Sequence, residues 1–319
     1  MSHATDSCVV VTGGCGFIGS HLVGALRAAG ARRIVVVDSM RYGDPANLGA
    51  SPGVELVKHE IGFDPPARLG QALGGADYLF HLAAEKHNQS KDSPERVIAS
   101  NVTGTLQLFE HACAAGVKKI VFTSSLYAYG RLRGEPFDES ERCEPRTIYG
   151  ISKLAGEHLL AHLHERHGTR YTILRYLFIY GPKQFAGMGY KSVIVKSFER
   201  LLAGEPPVVY GDGRQQLDYV FVDDAVGATL RALGAEADSE LLNVGSGVGT
   251  SVEELVKLMV RVSGRQLAPI AGPADWTAGS CRVASVAKTA RVLGWRASTP
   301  LAEGLARTLE WIRAARAAG

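Results

Sequence analysis

The sequence has few cysteines, no long apolar run and little net charge. Its five cysteines are an odd number without a Cys-x-x-Cys pair, which argues against a disulfide scaffold and favours reduced thiols. No apolar run approaches the ~18 residues of a membrane span, and no secretory signal pattern is seen. A net charge of +3 gives no reason to expect nucleic-acid binding. We therefore expect a cytoplasmic protein that binds neither membrane nor nucleic acid.

The first half of the chain alternates short β-branched runs with helical stretches. The predicted strands are Cys8–Thr12, Arg33–Asp38, Val54–Lys58, Asp77–His81, Lys119–Ser124 and Tyr171–Arg175. The predicted helices include His21–Ala29, Asn101–Ala115 and Tyr149–His167. Apolar strands separated by helices indicate an α/β fold with a doubly wound parallel sheet, whose ligands bind beyond the carboxyl ends of the strands.

The second half is less regular and contains more glycine and proline breaks. We predict that residues 1–176 form the main-sheet domain and that residues 177–319 mainly form a smaller C-terminal domain. Within residues 215–247, Tyr219–Val222 and Leu241–Val244 are expected to return to the main sheet. The boundary between the two parts is therefore not clean.

Three glycines follow the first predicted strand and precede a helix. Gly13, Gly16 and Gly19 allow a tight turn, close approach of a pyrophosphate and close helix packing, in the Rossmann pattern. Asp38 ends the second strand, where its carboxylate can accept ribose hydroxyls and repel a 2′-phosphate. The pattern predicts an NAD-binding site, although Arg41 nearby leaves some tolerance of NADP open.

Tyr149 and Lys153 lie four residues apart on one predicted helix face. A phenol with a pKa of about 10 is only about one part in a thousand ionised at neutral pH, and lowering it by ~3 units takes ~4 kcal/mol. A neighbouring ammonium and a positively charged nicotinamide ring can supply that energy. Ser124 and Ser125 end the preceding strand, so the pattern favours a catalytic centre over a chance Tyr-x-x-x-Lys spacing.

Taken together, these segments resemble the NAD-dependent epimerase/dehydratase family, the extended short-chain dehydrogenases that act on nucleotide sugars. The resemblance covers nearly the full length and includes Thr12–Gly19, His81–Ala84, Asn101–Thr105, Tyr149–Lys153, Tyr180–Pro182, Tyr210–Gly213 and Asn243–Gly247. It implies NAD as cofactor, a nucleotide-sugar substrate, and a homodimer formed through the helices of residues 101–115 and 149–167.

The resemblance assigns roles residue by residue. Tyr149 is the expected catalytic base, Lys153 lowers its pKa and holds the nicotinamide ribose, and Ser125 is the catalytic serine, four residues before Tyr129. The expected cofactor-binding residues are Gly13, Gly16, Phe17, Ile18, Gly19, Asp38, Glu60, Ile61, Leu82, Ala83, Ala84, Lys86, Asn101, Tyr149, Lys153 and Leu177.

The residues after Ser125 narrow the reaction. Dehydratases of the family resemble Thr-Asp-Glu at this point, and decarboxylating relatives carry a glutamate where this chain has Tyr127. Leu126 and Tyr127 provide no carboxylate, which leaves epimerisation, at C4, as the simplest chemistry. Two alternatives stay open: another NAD-dependent nucleotide-sugar enzyme (dehydratase, decarboxylase or reductase) and a non-catalytic NAD-binding module.

The substrate side departs from the family pattern. Phe178 stands where an asparagine usually contacts the diphosphate, and Leu217 stands where an arginine is usual. The expected substrate-binding residues are Ser125, Tyr149, Phe178, Lys191, Ser192, Val193, Arg214 and Arg282. UDP is the default nucleotide, with dTDP, GDP and CDP open. His158 and His162 lie four apart on a helix but lack a third ligand, so no metal site is expected.

Overall fold

A parallel sheet forms the centre of the computed structural model, which describes residues 3–49, 53–130, 136–184, 191–274 and 279–318. Its strands are β1 (Cys8–Thr12), β2 (Arg33–Asp38), β3 (Val54–Lys58), β4 (Tyr78–His81), β5 (Lys119–Ser125), β6 (Arg170–Tyr176) and β10 (Glu240–Val244). Their order is β10-β6-β5-β4-β1-β2-β3, with every neighbouring pair parallel. The predicted fold class is confirmed.

Helices cover both faces of this sheet. They are α1 (Phe17–Ala28), α2 (Ala67–Leu73), α3 (Gln89–Asp92), α4 (Pro94–Ile98), α5 (Thr105–Ala114), α6 (Ile148–His167), α7 (Val193–Leu202), α8 (Val222–Arg231), α9 (Val252–Ser263), α10 (Ala287–Leu293) and α11 (Leu301–Ala318). One apolar core joins the sheet to α1 and α8, and the other joins it to α2, α5 and α6. Both faces are therefore buried, as near-continuous apolar strands require.

The remaining strands build two small sheets. These strands are β7 (Phe178–Tyr180), β8 (Val208–Tyr210), β9 (Gln216–Phe221), β11 (Gly249–Ser251), β12 (Ile270–Gly272) and β13 (Cys281–Arg282). β9 pairs with β7, β11 and β13, and β12 pairs with β8. The expectation that Leu241–Val244 joins the main sheet is confirmed by β10. The same expectation for Tyr219–Val222 is wrong, because this segment pairs with β7.

Two helices begin differently from the sequence prediction. α1 starts at Phe17, directly after the glycine turn, whereas the prediction began at His21. The stretch from residue 99 to residue 104 is a π-helical turn that precedes α5. α6 lies close to its predicted bounds. At its start the Thr147 side chain accepts a hydrogen bond from the Gly150 amide (3.0 Å), and after its last residue Gly168, whose φ is +71°, caps the helix.

The described parts of the chain contain no helix that is both long and apolar enough to cross a membrane. Within the same residues no cluster of three or more His, Cys, Asp or Glu side chains is arranged to hold a metal ion. All five cysteines are unbridged thiols.

Candidate active site

A cleft of about 500 Å³ opens at the carboxyl ends of the main-sheet strands, a volume typical of small-molecule sites. Fifteen of the sixteen residues expected to bind the cofactor line it. They are Gly13, Gly16, Phe17, Ile18, Gly19, Asp38, Glu60, Ile61, Leu82, Ala83, Ala84, Lys86, Tyr149, Lys153 and Leu177. The cleft thus brings together residues from six separate stretches of the sequence.

The glycine turn leads directly into the amino end of α1. A Cβ added at Gly13 would lie 2.9 Å from the Ala83 nitrogen, and one added at Gly19 would lie 2.1 Å from the Gly13 carbonyl oxygen. Gly13 also has a φ of +72°, which L residues rarely adopt. No side chain caps this twelve-residue helix, so its first amide N–H groups remain to bind an anion. The turn therefore fits a dinucleotide pyrophosphate.

Asp38 lies at the end of β2 beside this turn. Its carboxylate accepts hydrogen bonds from the Cys15 amide (2.9 Å) and the Met40 amide (2.7 Å). Burial raises the pKa of Asp38, and these two hydrogen bonds oppose the rise. Each oxygen retains a lone pair for a further donor, so the carboxylate is positioned to accept ribose hydroxyls.

Ion pairs hold the loop at the far end of the cleft. Arg96 pairs with Glu60 and donates to Glu85 (2.8 Å). Asn101, predicted to bind the cofactor, is buried and does not line the cleft. Its amide instead exchanges hydrogen bonds with the backbone of Glu85 (2.8 and 2.9 Å) and donates to Ser152 (3.2 Å). Asn101 thus positions this loop against α6.

Ser125, Tyr149 and Lys153 meet at the other end of the cleft. Burial raises the pKa of Tyr149 to about 12, and a hydrogen bond with Ser125 opposes that rise. The Lys153 ammonium lies 5.9 Å from the Tyr149 ring centroid and donates to the Thr123 carbonyl (2.9 Å). Burial lowers the pKa of Lys153 to about 8, with the Glu157 carboxylate opposing. The geometry suits proton transfer, and in the protein alone burial outweighs the hydrogen bond that would lower the pKa of the phenol.

Two aromatic side chains complete this end of the cleft. The His87 ring lies 4.4 Å from the Tyr127 ring and 6.3 Å from the Tyr149 ring, centroid to centroid. Burial, together with the positive charges of Lys91 and Arg282, lowers the pKa of His87 to about 4. The imidazole is therefore neutral at physiological pH.

The expected substrate residues are only partly gathered here. Ser125, Tyr149, Phe178 and Ser192 line the cleft. Ser192 also caps α7, which begins at Val193. Arg282 is close enough to His87 to affect its pKa. Lys191, Val193, Arg214 and Arg282 are not part of the cleft lining. Lys191 is paired with Glu199 (2.7 Å), and Arg214 is exposed on a turn.

Several residues that line the cleft were given no binding or catalytic role from the sequence. They include Tyr42, Glu85, His87, Asn88, Tyr127 and Gln184. The Tyr42 hydroxyl donates to Glu85 (3.2 Å), and the Lys86 ammonium lies 4.9 Å from the Tyr42 ring centroid. These residues share a position in the sequence: each follows the carboxyl end of a strand, which is where parallel sheets bind their ligands. This position is the one signal that could have identified them.

Residues 9–245 match the NAD dependent epimerase/dehydratase family. Over 311 residues the chain is 36% identical to a UDP-glucose 4-epimerase of Mycolicibacterium smegmatis, covering 95% of this chain and 98% of that protein. It is also 32% identical over 311 residues to a dTDP-glucose 4,6-dehydratase of Streptomyces griseus, covering 95% and 93%. The crystal structure of UDP-glucose 4-epimerase from Thermotoga maritima with UDP-glucose is 35% identical, with a TM-score of 0.90 over 97% of this chain and 99% of that one.

The chain therefore belongs to the NAD dependent epimerase/dehydratase family. This confirms the resemblance inferred from the sequence and with it NAD as the cofactor, which the glycine turn and Asp38 fit. Its relatives include both an epimerase and a dehydratase. The chain is an NAD-dependent enzyme of this family.

Proposed function

We propose that the chain is a nucleotide-sugar epimerase that inverts the hydroxyl-bearing carbon C4 by transient oxidation. The main support is the arrangement of Ser125, Tyr149 and Lys153 in one cleft with the glycine turn. Ser125 lies close enough to Tyr149 to lower the pKa of its phenol, and Lys153 follows one helical turn later. A binding-only module has no need of a phenol placed between a serine and an ammonium.

Each residue has one task in this mechanism. Tyr149 takes the proton of the sugar hydroxyl, while Ser125 donates a hydrogen bond to the same oxygen. Lys153 stabilises the phenolate with its positive charge. Bound NAD supplies the acceptor and the later donor of the C4 hydride. The keto sugar then rotates within the cleft and presents its other face to the hydride donor. Tyr149 returns the proton, so enzyme and cofactor end the cycle unchanged.

The same cleft argues against a dehydratase. Eliminating water requires an acid and a base beyond Tyr149, and Leu126 and Tyr127 do not provide the carboxylate pair that dehydratases of the family carry there. The acidic side chains among the described cleft residues are engaged elsewhere. Asp38 is bound to the glycine turn, whereas Glu60 and Glu85 are bound to Arg96.

A UDP-hexose is the first substrate to test, since the Mycolicibacterium smegmatis and Thermotoga maritima relatives are named UDP-glucose 4-epimerases. We propose that residues 1–176 mainly bind NAD and that residues 177–319 mainly bind the nucleotide sugar. On this view Ser192, Gln184 and Arg282 take over the diphosphate contacts that the missing asparagine and arginine make elsewhere in the family.

The decisive experiment incubates the purified protein with UDP-, dTDP-, GDP- and CDP-sugars without added reductant. Epimerisation gives a product of unchanged mass in which the coupling constants of the C4 proton, measured by NMR, are those of the inverted configuration. Loss of water or of carbon dioxide would instead assign a dehydratase or decarboxylase. No conversion of any sugar, with NAD bound, would favour a non-catalytic module.

Tyr149→Phe tests the mechanism within that assay. The variant lacks only the hydroxyl that moves the proton, so we expect turnover to fall by about 10²–10⁴-fold. NAD binding, measured by calorimetry, should be retained. Unchanged turnover in Tyr149→Phe would remove Tyr149 from the mechanism.

We also propose that two chains pair through the surface formed by α4, α5 and α6. α4 and α5 both pack against α6. Ile98 of α4 and Ile151 of α6 are partly exposed apolar side chains, which favours a covered surface. Sedimentation of the wild type and of Ile151→Glu tests this: a dimer that dissociates in the variant supports the proposal, and a monomeric wild type rejects it.

A further inference from the structure

Glu157 is a buried carboxylate that the mechanism above does not use. Its side chain is 5% exposed and accepts hydrogen bonds from the Ser124 hydroxyl (2.5 Å) and from Nε and Nη2 of Arg175 (2.9 and 2.5 Å). Arg175 is also buried, and its guanidinium lies 4.3 Å from the Tyr129 ring centroid. Three charge-assisted hydrogen bonds thus fix this carboxylate between α6, β5 and β6.

Stability alone is a weak reason for such a pair. Removing two charges from water costs free energy that their mutual attraction often fails to recover, and well-packed apolar side chains can replace buried ion pairs without loss. The negative charge of Glu157 can also act on a second nearby group besides Arg175, which would give the buried pair a role other than stability.

Lys153 is that partner. It lies one helical turn before Glu157 on the same buried face of α6, and it is 3% exposed. From β5, the Thr123 carbonyl accepts a hydrogen bond from its ammonium (2.9 Å), and the Phe122 ring centroid lies 5.0 Å away. Among the residues that the structure describes, His81 of β4 and Tyr149 of α6 are two further titratable neighbours. Burial lowers the pKa of His81 to about 3 and raises that of Tyr149 to about 12, so both are neutral at pH 7.

We propose that Glu157, anchored by Arg175 and Ser124, is a positioning residue that keeps Lys153 in its charged form. The inference deepens the proposed function, because a neutral Lys153 could not stabilise the Tyr149 phenolate. It agrees with the electrostatics of α6, where burial lowers the pKa of Lys153 and the Glu157 carboxylate raises it. Glu157 therefore acts through Lys153 and needs no contact with substrate.

Glu157→Gln tests the proposal, because it keeps the size of the side chain and removes its charge. We expect the pKa of Lys153 to fall by about one pH unit, measured by NMR titration of protein labelled with ¹³C-lysine and assigned with Lys153→Met. In the turnover assay, the alkaline limb of kcat/KM should move to lower pH by the same amount. An unchanged pKa of Lys153 in Glu157→Gln would overturn the proposal.

Ser124→Ala is the matched control, since it removes one hydrogen bond to the same carboxylate and keeps the charge. A purely structural role of Glu157 predicts that both variants lose thermal stability while Lys153 titrates as in the wild type. If Glu157→Gln does not fold, the double variant with Arg175→Gln leaves no unpaired buried charge; a smaller fall in the pKa of Lys153 is then expected, because the positive charge of Arg175 is removed as well. The NMR titration requires no turnover, so it stands or fails separately from the proposed function.

Discussion

The pH dependence of the unfolding free energy tests whether burial lowers the pKa of Lys153 in the folded protein. Burial lowers the pKa of Lys153 from 10.5 to about 8. Between these pH values the unfolded chain holds a proton on this lysine and the folded chain does not, so the free energy of unfolding rises with pH. About 2.5 pH units, at about 1.4 kcal/mol each, correspond to roughly 3 kcal/mol.

Lys153→Met removes this contribution while keeping a side chain of similar length. We expect the difference in unfolding free energy between wild type and variant to change by roughly 3 kcal/mol between about pH 7 and about pH 11. The wild type gains at the higher pH. Urea denaturation of both proteins at a series of pH values measures this difference, and groups that titrate alike in both cancel. The hydrogen bond to Thr123 that the variant loses adds an offset but little slope.

Lys118→Met provides a control of opposite sign. Lys118 is exposed and pairs with Asp77 (2.7 Å), and this pairing raises the pKa of Lys118. Its stabilising contribution is present at neutral pH and is lost as the pH rises through the folded-state pKa, so the wild type loses its advantage over this variant. A stability difference for Lys153→Met that stays flat with pH would refute the argument, since the lysine would then titrate alike in the folded and unfolded chains.

Two further predictions concern the cofactor. Gly19→Ala should lower NAD affinity by at least about tenfold, which is ~1.4 kcal/mol, because the new Cβ would lie 2.1 Å from the Gly13 carbonyl oxygen. Calorimetric titration measures the change. Gly24→Ala, in the same helix with nothing within 4 Å of a new Cβ, should bind NAD as the wild type does. Asp38→Ala should weaken NAD binding and narrow the preference for NAD over NADP, measured by titration with both; an unchanged preference would exclude Asp38 as the discriminating residue.

Local sequence pattern was sufficient for the main sheet but not for the smaller sheets. β1, β2 and β3 match their predicted bounds, because each is a short β-branched run ended by glycine, proline or polar residues. The segment Tyr219–Val222 shows equally strong apolar character, yet part of it forms the end of β9 and pairs with β7. Which sheet a buried strand joins depends on partners distant in the sequence, and no local pattern identifies them.

In the candidate site, too, sequence motifs predicted some of the residues, whereas others depend on how the chain folds. Motif spacing predicted one site for the glycine turn, Ser125, Tyr149 and Lys153, and these residues line one cleft. Asn101 was expected beside the cofactor but lies behind the loop that it supports. His87 was given no role of its own from the sequence, and the structure packs its ring against Tyr127 in the cleft. Side-chain direction and burial, which decide such roles, are properties of the folded chain.

The remaining discrepancy concerns the order in which two groups lose their protons. With pKa values of about 8 for Lys153 and about 12 for Tyr149, the lysine deprotonates first, and a neutral lysine cannot stabilise a phenolate. Reversing an order of about four pH units requires roughly 5 kcal/mol of added preference for the ammonium–phenolate pair. The value for Lys153 already includes the effect of Glu157, so on the proposed mechanism the phenolate would need a second positive charge, such as that of the nicotinamide ring of NAD⁺. On the proposed mechanism, Tyr149 would act as a base only with oxidised cofactor bound, so the sugar would not be deprotonated before a hydride acceptor is in place.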